Sequence, residues 1–375
     1  LGFERQPTLN TFAAALASLA IFIVFAIPAF ADSSADNTPS TGGWNTSWCL
    51  PPFGGCDSVT LGGTEDLSSL NLPGSWSSPS FTNAAGTRKY YLYTPQNGSN
   101  APLPLVVALH GCTEDAPIFA METGLAEIAE KYGFAVIFPE EPQSANVYEC
   151  WNWFDPANTV RGQYEISIIA GMVQDVSNSV QIDATRVYAA GFSSGAAMVS
   201  SLLSCYSDVF SGGLINSGLQ FKAVNDPNDA VTAMESGSTV NPIESGNAAA
   251  ACTGSGAKLE NVLIIHGDLD PIVAPLNSTL ALKSFTQMND ILDDGVANGS
   301  QSTQRISTHS HTVPNGGDQY KVDSYGGNGV VHIVNVTVAG MGHAWSGAHQ
   351  AGLYADPNGP DAGEMMWQFL SQASH

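Results

Sequence analysis

Three features of the 375-residue sequence predict an α/β fold, a mostly parallel central sheet with helices on both faces. Short runs rich in Val, Ile and Leu alternate with helix-spaced segments along most of the chain. Several runs are apolar throughout, the pattern of strands covered on both sides. Hydrophobic residues make up 43% of the chain, enough for one large core.

The first 31 residues read as a secretory signal peptide. A short start containing Arg5 leads into the apolar run Phe12 to Ile27, and Ala29-Phe30-Ala31 supplies an A-x-A site before Asp32. Cleavage after Ala31 would release a secreted, extracellular protein. Residues 32–85 are rich in Ser, Gly, Asn, Thr and Pro and read as a leader lying on the main domain, with Cys49 and Cys56 closing a short loop. Residues 86–375 form the catalytic domain of this reading.

Within that domain, Lys89 to Tyr93 is an entry strand and Leu103 to Leu109 a buried strand ending at His110-Gly111. Helical spacing follows over 117–131, then a strand over Phe134 to Phe138 and a helix over Ile166 to Val180. The strand Arg186 to Ala190 leads into a helix over Gly195 to Ser204. Leu214 to Asn216, Val262 to Ile265 and Val331 to Val338 are further strands, and Ala362 to Leu370 is the last helix. The stretches 223–260 and 289–318 are polar and read as loops.

Eleven Lys and Arg against 34 Asp and Glu give a net charge of −23. Such a surface repels nucleic-acid phosphates and anionic membranes, so neither is expected as a partner. Nothing indicates an obligate protein partner. Six cysteines in an exported chain suggest three disulfides from 15 possible connectivities. The pairs expected are Cys49–Cys56, closing a Pro-Gly loop; Cys112–Cys150, joining two turns after strands; and Cys205–Cys252, tying a helix to the polar excursion. Histidines do not stand at zinc-ligand spacing from the cysteines, and no metal or cofactor is expected.

Gly191-Phe192-Ser193-Ser194-Gly195 lies between a strand and a helix, the context of a nucleophile elbow. A serine hydroxyl needs a positioned base. In this architecture the partners follow in the order Ser, acid, His. His343 stands in Gly340-Met-Gly-His-Ala-Trp345, just after a strand, and is the base expected. The acid comes from His266-Gly-Asp268-Leu-Asp270-Pro271; Asp270 is preferred and Asp268 is the alternative. A developing oxyanion needs two N–H donors. The backbone amides of Ser194 and of Cys112, in the turn after Leu109, are the candidates, and His110 reads as a support for that turn.

Read in order, HGCTEDA, CWNWF with RGQYE, RVYAAGFSSGAAM, IHGDLDPIV, and GMGHAWSG with GPDAGEMMWQF resemble the polyhydroxybutyrate depolymerase-type esterases. The resemblance covers roughly Arg88 to Phe369. It implies an α/β-hydrolase fold, a Ser193–Asp270–His343 triad, oxyanion amides at Cys112 and Ser194, and cofactor-free hydrolysis of carboxylic esters. It departs at Phe192, where the depolymerase box has leucine, and over 223–260; no separate polymer-binding domain is expected after the catalytic one.

Trp151, Trp153 and Trp345 are expected to form an apolar wall for a polyester or other ester substrate. Arg161 and Glu165 read as a structural ion pair. A carbohydrate esterase releasing feruloyl or acetyl groups is the competing enzyme, and a non-catalytic binding protein of the same fold is the reading from another class.

Overall fold

The computed structural model describes residues 66–96 and 101–373. The expected signal peptide and the expected Cys49–Cys56 pair lie outside the described residues. Eleven strands form one sheet: β1 (Ser75–Ser77), β2 (Ser80–Asn83), β3 (Gly86–Thr94), β4 (Leu103–Leu109), β5 (Ala135–Pro139), β6 (Ile182–Phe192), β7 (Gly212–Asn216), β8 (Asn261–Gly267), β9 (Ser302–Thr312), β10 (Gln319–Gly327) and β11 (Val330–Val338). Their order is β1-β3-β5-β4-β6-β7-β8-β11-β10-β9, with β2 beside β3. The centre, from β5 through β11, is parallel. Antiparallel pairs finish both edges.

The period-two alternation of strands divides the core between the two faces. Leu105, Val107 and Leu109 of β4 pack under α3 (Tyr164–Ser177), α4 (Ser194–Cys205), α6 (Pro242–Cys252) and α7 (Leu276–Leu292). Val106 and Ala108 point the other way, towards α1 (Ala116–Thr123), α2 (Leu125–Tyr132) and α8 (Ala362–Leu370). Strands buried on both sides are why the sequence there reads as unbroken apolar runs.

Four differences from the sequence expectation have physical causes. The helix expected over 117–131 is two helices, because Gly124 takes φ +62° between them. The polar stretch 223–260 contains α5 (Ala230–Ser236) and α6. The latter starts where Asn241 caps the N–H of Ile243 and Pro242 fits the first turn. Helix α7 went unassigned because it buries Asn277, Ser278, Ser284, Thr286, Asn289 and Asp290 among its apolar residues, which blurs the period. Strand β9 is an edge strand exposed along almost its whole length, so its polar sequence carries no strand signal. The sheet also begins before residue 86: β1 and β2, inside the presumed leader, pair with β3, and Leu67 is buried.

Candidate active site

The polypeptide reverses sharply between β6 and α4, and Ser193 sits at the reversal with φ +52° and ψ −117°. That conformation is strained for a residue with a Cβ. It is held by the Ser193 N–H, which donates to the carbonyl of Asn216 on the neighbouring strand at 3.0 Å. Gly195 lets the helix start press against β4; a Cβ there would strike the carbonyls of Leu109 and His110.

His343 reaches this serine from the loop after β11. Its Nε2 lies 3.0 Å from Ser193 Oγ and its Nδ1 lies 2.8 Å from Asp270 Oδ2. A carboxylate only accepts, so Nδ1 carries the proton and the Nε2 lone pair faces the hydroxyl. Asp270 comes from the turn after β8. Its other oxygen, Oδ1, accepts the N–H groups of Ile272 and Val273, each at 2.9 Å. Burial alone would raise this carboxyl, but hydrogen bonds from His266 and His343 outweigh it and hold the group well below the ordinary carboxylate range. Asp268, the alternative acid, is turned elsewhere: it accepts the Gly340 N–H at 2.7 Å and so ties down the loop that carries His343.

Three contributors escaped the sequence reading. His266 places Nε2 at 3.3 Å from Asp270 Oδ2 and 2.8 Å from the Val273 carbonyl, a second imidazole on the acid. Asn216 donates to the Ala344 carbonyl at 2.8 Å, linking the elbow to the histidine loop. Tyr354 stands edge-on to the His343 ring at 6.0 Å, with its hydroxyl 3.3 Å from Thr113 Oγ1. Only the His266 position had a signal, since it shares the IHGDLD segment with Asp270; the other two depend on approaches across the fold.

Because β4 and β6 are adjacent and parallel, the turn after Leu109 borders the elbow. The N–H of Ser194, in the first turn of α4, has no intrahelical acceptor. Among the described residues the Cys112 N–H makes no backbone hydrogen bond. The groups around it are engaged: Gly111 N–H donates to Glu114 Oε2 at 2.7 Å, and Thr113 N–H to the Tyr148 carbonyl at 2.7 Å. His110 donates from Nδ1 to the Gly111 carbonyl at 2.7 Å and accepts the Glu141 N–H on Nε2 at 3.1 Å. Burial lowers its pKa to about 4, so it supports the turn as a neutral ring. Disulfides join Cys112 to Cys150 and Cys205 to Cys252, with Cα separations of 4.1 and 4.7 Å; such cross-links fit an oxidising, extracellular setting.

Two expectations need correction. The three tryptophans do not form an exposed wall: Trp151, Trp153 and Trp345 are 0%, 6% and 1% exposed. Asn152 is the cause for the first two. Its N–H and side-chain amide bind Glu165 at 2.9 and 2.6 Å, drawing the Cys150–Phe154 loop inwards. Trp345 packs edge-on to Phe119 in the core. Nor does Arg161 pair with Glu165; it forks onto Asp208 at 2.6 and 2.8 Å, while Arg88 lies 3.4 Å from Glu165.

Residues 88–307 match the family model for esterase PHB depolymerases. The chain is 32% identical over 273 residues to poly(3-hydroxyalkanoate) depolymerase C of Paucimonas lemoignei, covering 71% of this chain and 62% of that protein. It is 30% identical over 252 residues to feruloyl esterase B of Neurospora crassa, covering 65% of this chain and 83% of the relative. The solved acetyl xylan esterase from Aspergillus awamori shares the α/β-hydrolase fold, with a TM-score of 0.63 at 22% identity over 80% of this chain and 99% of that one. The family match spans more than half the sequence, and the chain therefore belongs to the esterase PHB depolymerase family.

Proposed function

We propose that the protein is a secreted serine esterase that hydrolyses carboxylic esters of short-chain polyhydroxyalkanoates. The observation that carries the chemistry is the unbroken line from Ser193 Oγ through His343 to Asp270, at 3.0 and 2.8 Å. In this reading His343 Nε2 takes the serine proton as Oγ attacks the ester carbonyl. Asp270 holds the imidazole in the right tautomer and stabilises the imidazolium. The N–H groups of Cys112 and Ser194 receive the oxyanion, and the alcohol leaves with the proton from His343. Water, activated by the same histidine, then releases the acid from the acyl-serine. Export after cleavage at Ala31 belongs to the same proposal.

The polyester assignment draws on the depolymerase relative and on exposed apolar side chains in the loops that carry or adjoin the site residues. Val147, Leu269 and Leu353 are 57%, 68% and 75% exposed, on the loops next to Tyr148, Asp270 and Tyr354. An uncharged, methyl-bearing chain can cover such side chains at about 25 cal/mol per Å². The competing reading is a feruloyl esterase: this sequence spans 83% of the feruloyl esterase and 62% of the depolymerase, at 30% and 32% identity. A panel of hydroxybutyrate oligomers, methyl ferulate and acetylated xylan under one set of conditions separates the two. Rapid oligomer cleavage is expected; fast feruloyl or acetyl release with inert oligomers would reverse the assignment.

A further inference from the structure

The second imidazole on the acid has no step of its own in the ester chemistry. His266 stands near the end of β8, on the sheet face of Val262 and Ile264, and is 2% exposed. Its Nε2 lies 2.8 Å from the Val273 carbonyl and 3.3 Å from Asp270 Oδ2. Both neighbours are acceptors, so Nε2 carries the proton and divides it between them. Nδ1 is buried with no hydrogen-bond partner among the described residues, so a second proton there would face no acceptor. We infer that His266 is a positioning residue for the proposed ester hydrolysis: its shared Nε2–H bridges the acid turn from β8 to Val273 and keeps Asp270 Oδ2 aimed at His343 Nδ1.

The torsion that turns an aspartate carboxylate is soft, so the direction of each oxygen depends on the donors around it. Oδ1 of Asp270 is held by the backbone N–H groups of Ile272 and Val273, each at 2.9 Å. Oδ2 is held by imidazoles alone, His343 at 2.8 Å and His266 at 3.3 Å. His343 comes from a loop and passes a proton in the proposed reaction, whereas His266 is fixed in a strand. Val273 is gripped on both sides, its N–H by the acid and its carbonyl by His266. It is fully buried in one cluster with Trp153, Leu219, Ala233 and Met234, and the next residue, Ala274, donates its N–H to the Met234 carbonyl at 2.7 Å. The His266 bond thus ties the acid to a packed cluster. Trp153 of the CWNWF run and α5 of the stretch 223–260 stand behind the acid as its support.

Two amide substitutions separate positioning from mere support. Gln brings its NH2 close to where Nε2 stood, and the shorter Asn reaches only the position of Nδ1, so His266→Gln keeps the donor and His266→Asn withdraws it. The kinetic arm rests on the esterase reading and uses p-nitrophenyl butyrate, with active serines counted by phosphonate titration. His266→Asn should lower kcat per titrated site about tenfold or more with KM within about twofold, as misaimed catalytic groups do. His266→Gln should stay within about threefold of wild type. A purely structural role would reduce the number of titrated sites and leave kcat per site unchanged; that result overturns the proposal, as does a Gln variant no better than Asn. The proton NMR signal of His343 Nδ1–H, held on Asp270, should persist in wild type and His266→Gln and broaden by exchange in His266→Asn. An equally sharp signal in His266→Asn overturns the positioning role. If His266→Asn does not fold, nitrogen-15 spectra of wild type decide: the Nε2–H tautomer of His266 supports the proposal and the Nδ1–H tautomer overturns it. If wild type leaves the ester intact, the esterase reading fails and the two NMR arms still decide whether His266 aims the acid.

Discussion

The two sides of the site are held by different means. The serine, acid and histidine stand at the ends of β6, β8 and β11, and backbone bonds between neighbouring strands set their positions: Ser193 N–H on Asn216, and Asp268 N–H on the Val338 carbonyl at 3.0 Å. The proposed oxyanion side is a turn held by side chains: Glu114, the neutral ring of His110, the Cys112–Cys150 cross-link and Tyr354. A sheet tolerates change in surrounding side chains because its bonds are made by backbone. A turn braced by buried polar groups has no such reserve, and losing one partner leaves the other unsatisfied.

The largest effect should come from the backbone-held side. Replacing Ser193 or His343 by Ala should cut kcat by about 10⁴-fold or more with the fold intact, since each acts as part of one unit. Circular dichroism with single-turnover assays would check both halves of that statement. An active Ser193→Ala enzyme would remove the whole mechanism.

Within the acid turn the two aspartates should separate. Asp270→Asn presents the wrong partner to Nδ1–H and should cost about 10⁴-fold in kcat. Asp268→Asn keeps an acceptor for Gly340 and should cost less than about tenfold. Steady-state kinetics on both variants decide this, and the reverse order would move the acid to Asp268.

The smallest effect concerns stability and a buried carboxyl pair behind the same turn. Glu141 and Glu165 share one cation, Arg88, with Glu141 at 2.5 Å and Glu165 at 3.4 Å. One charge does not balance two; burial, then the charge on Glu165, pushes Glu141 up to about 9. A carboxyl raised above its unfolded value contributes stability in full below about pH 4.5 and loses it as pH climbs to about 9. Tm should therefore fall over that window, and Glu141→Gln should flatten the slope. A variant with an unaltered Tm profile would show that Arg88 keeps Glu141 charged.

The three residues of the proposed triad were legible because each follows a strand whose apolar run is unmistakable, and because G-x-S-x-G and IHGDLD mark turns after strand ends. The aromatic wall was misread for a related reason. CWNWF shows two tryptophans beside a polar loop, but only the fold reveals that Glu165, thirteen residues past Asn152, pulls the loop inwards.

By itself the sequence determined the alternating layers and the strand ends that carry Ser193, Asp270 and His343. These follow from local periodicity and turn chemistry, which neighbouring residues along the chain control. Only the tertiary structure decided that His266 joins Asp270, that Tyr354 stands edge-on to His343, and that of the possible pairings Cys112 meets Cys150 and Cys205 meets Cys252. Each of these depends on which side chains are brought together and shut away from water. Burial is a property of the packed molecule, and no spacing along the chain encodes it.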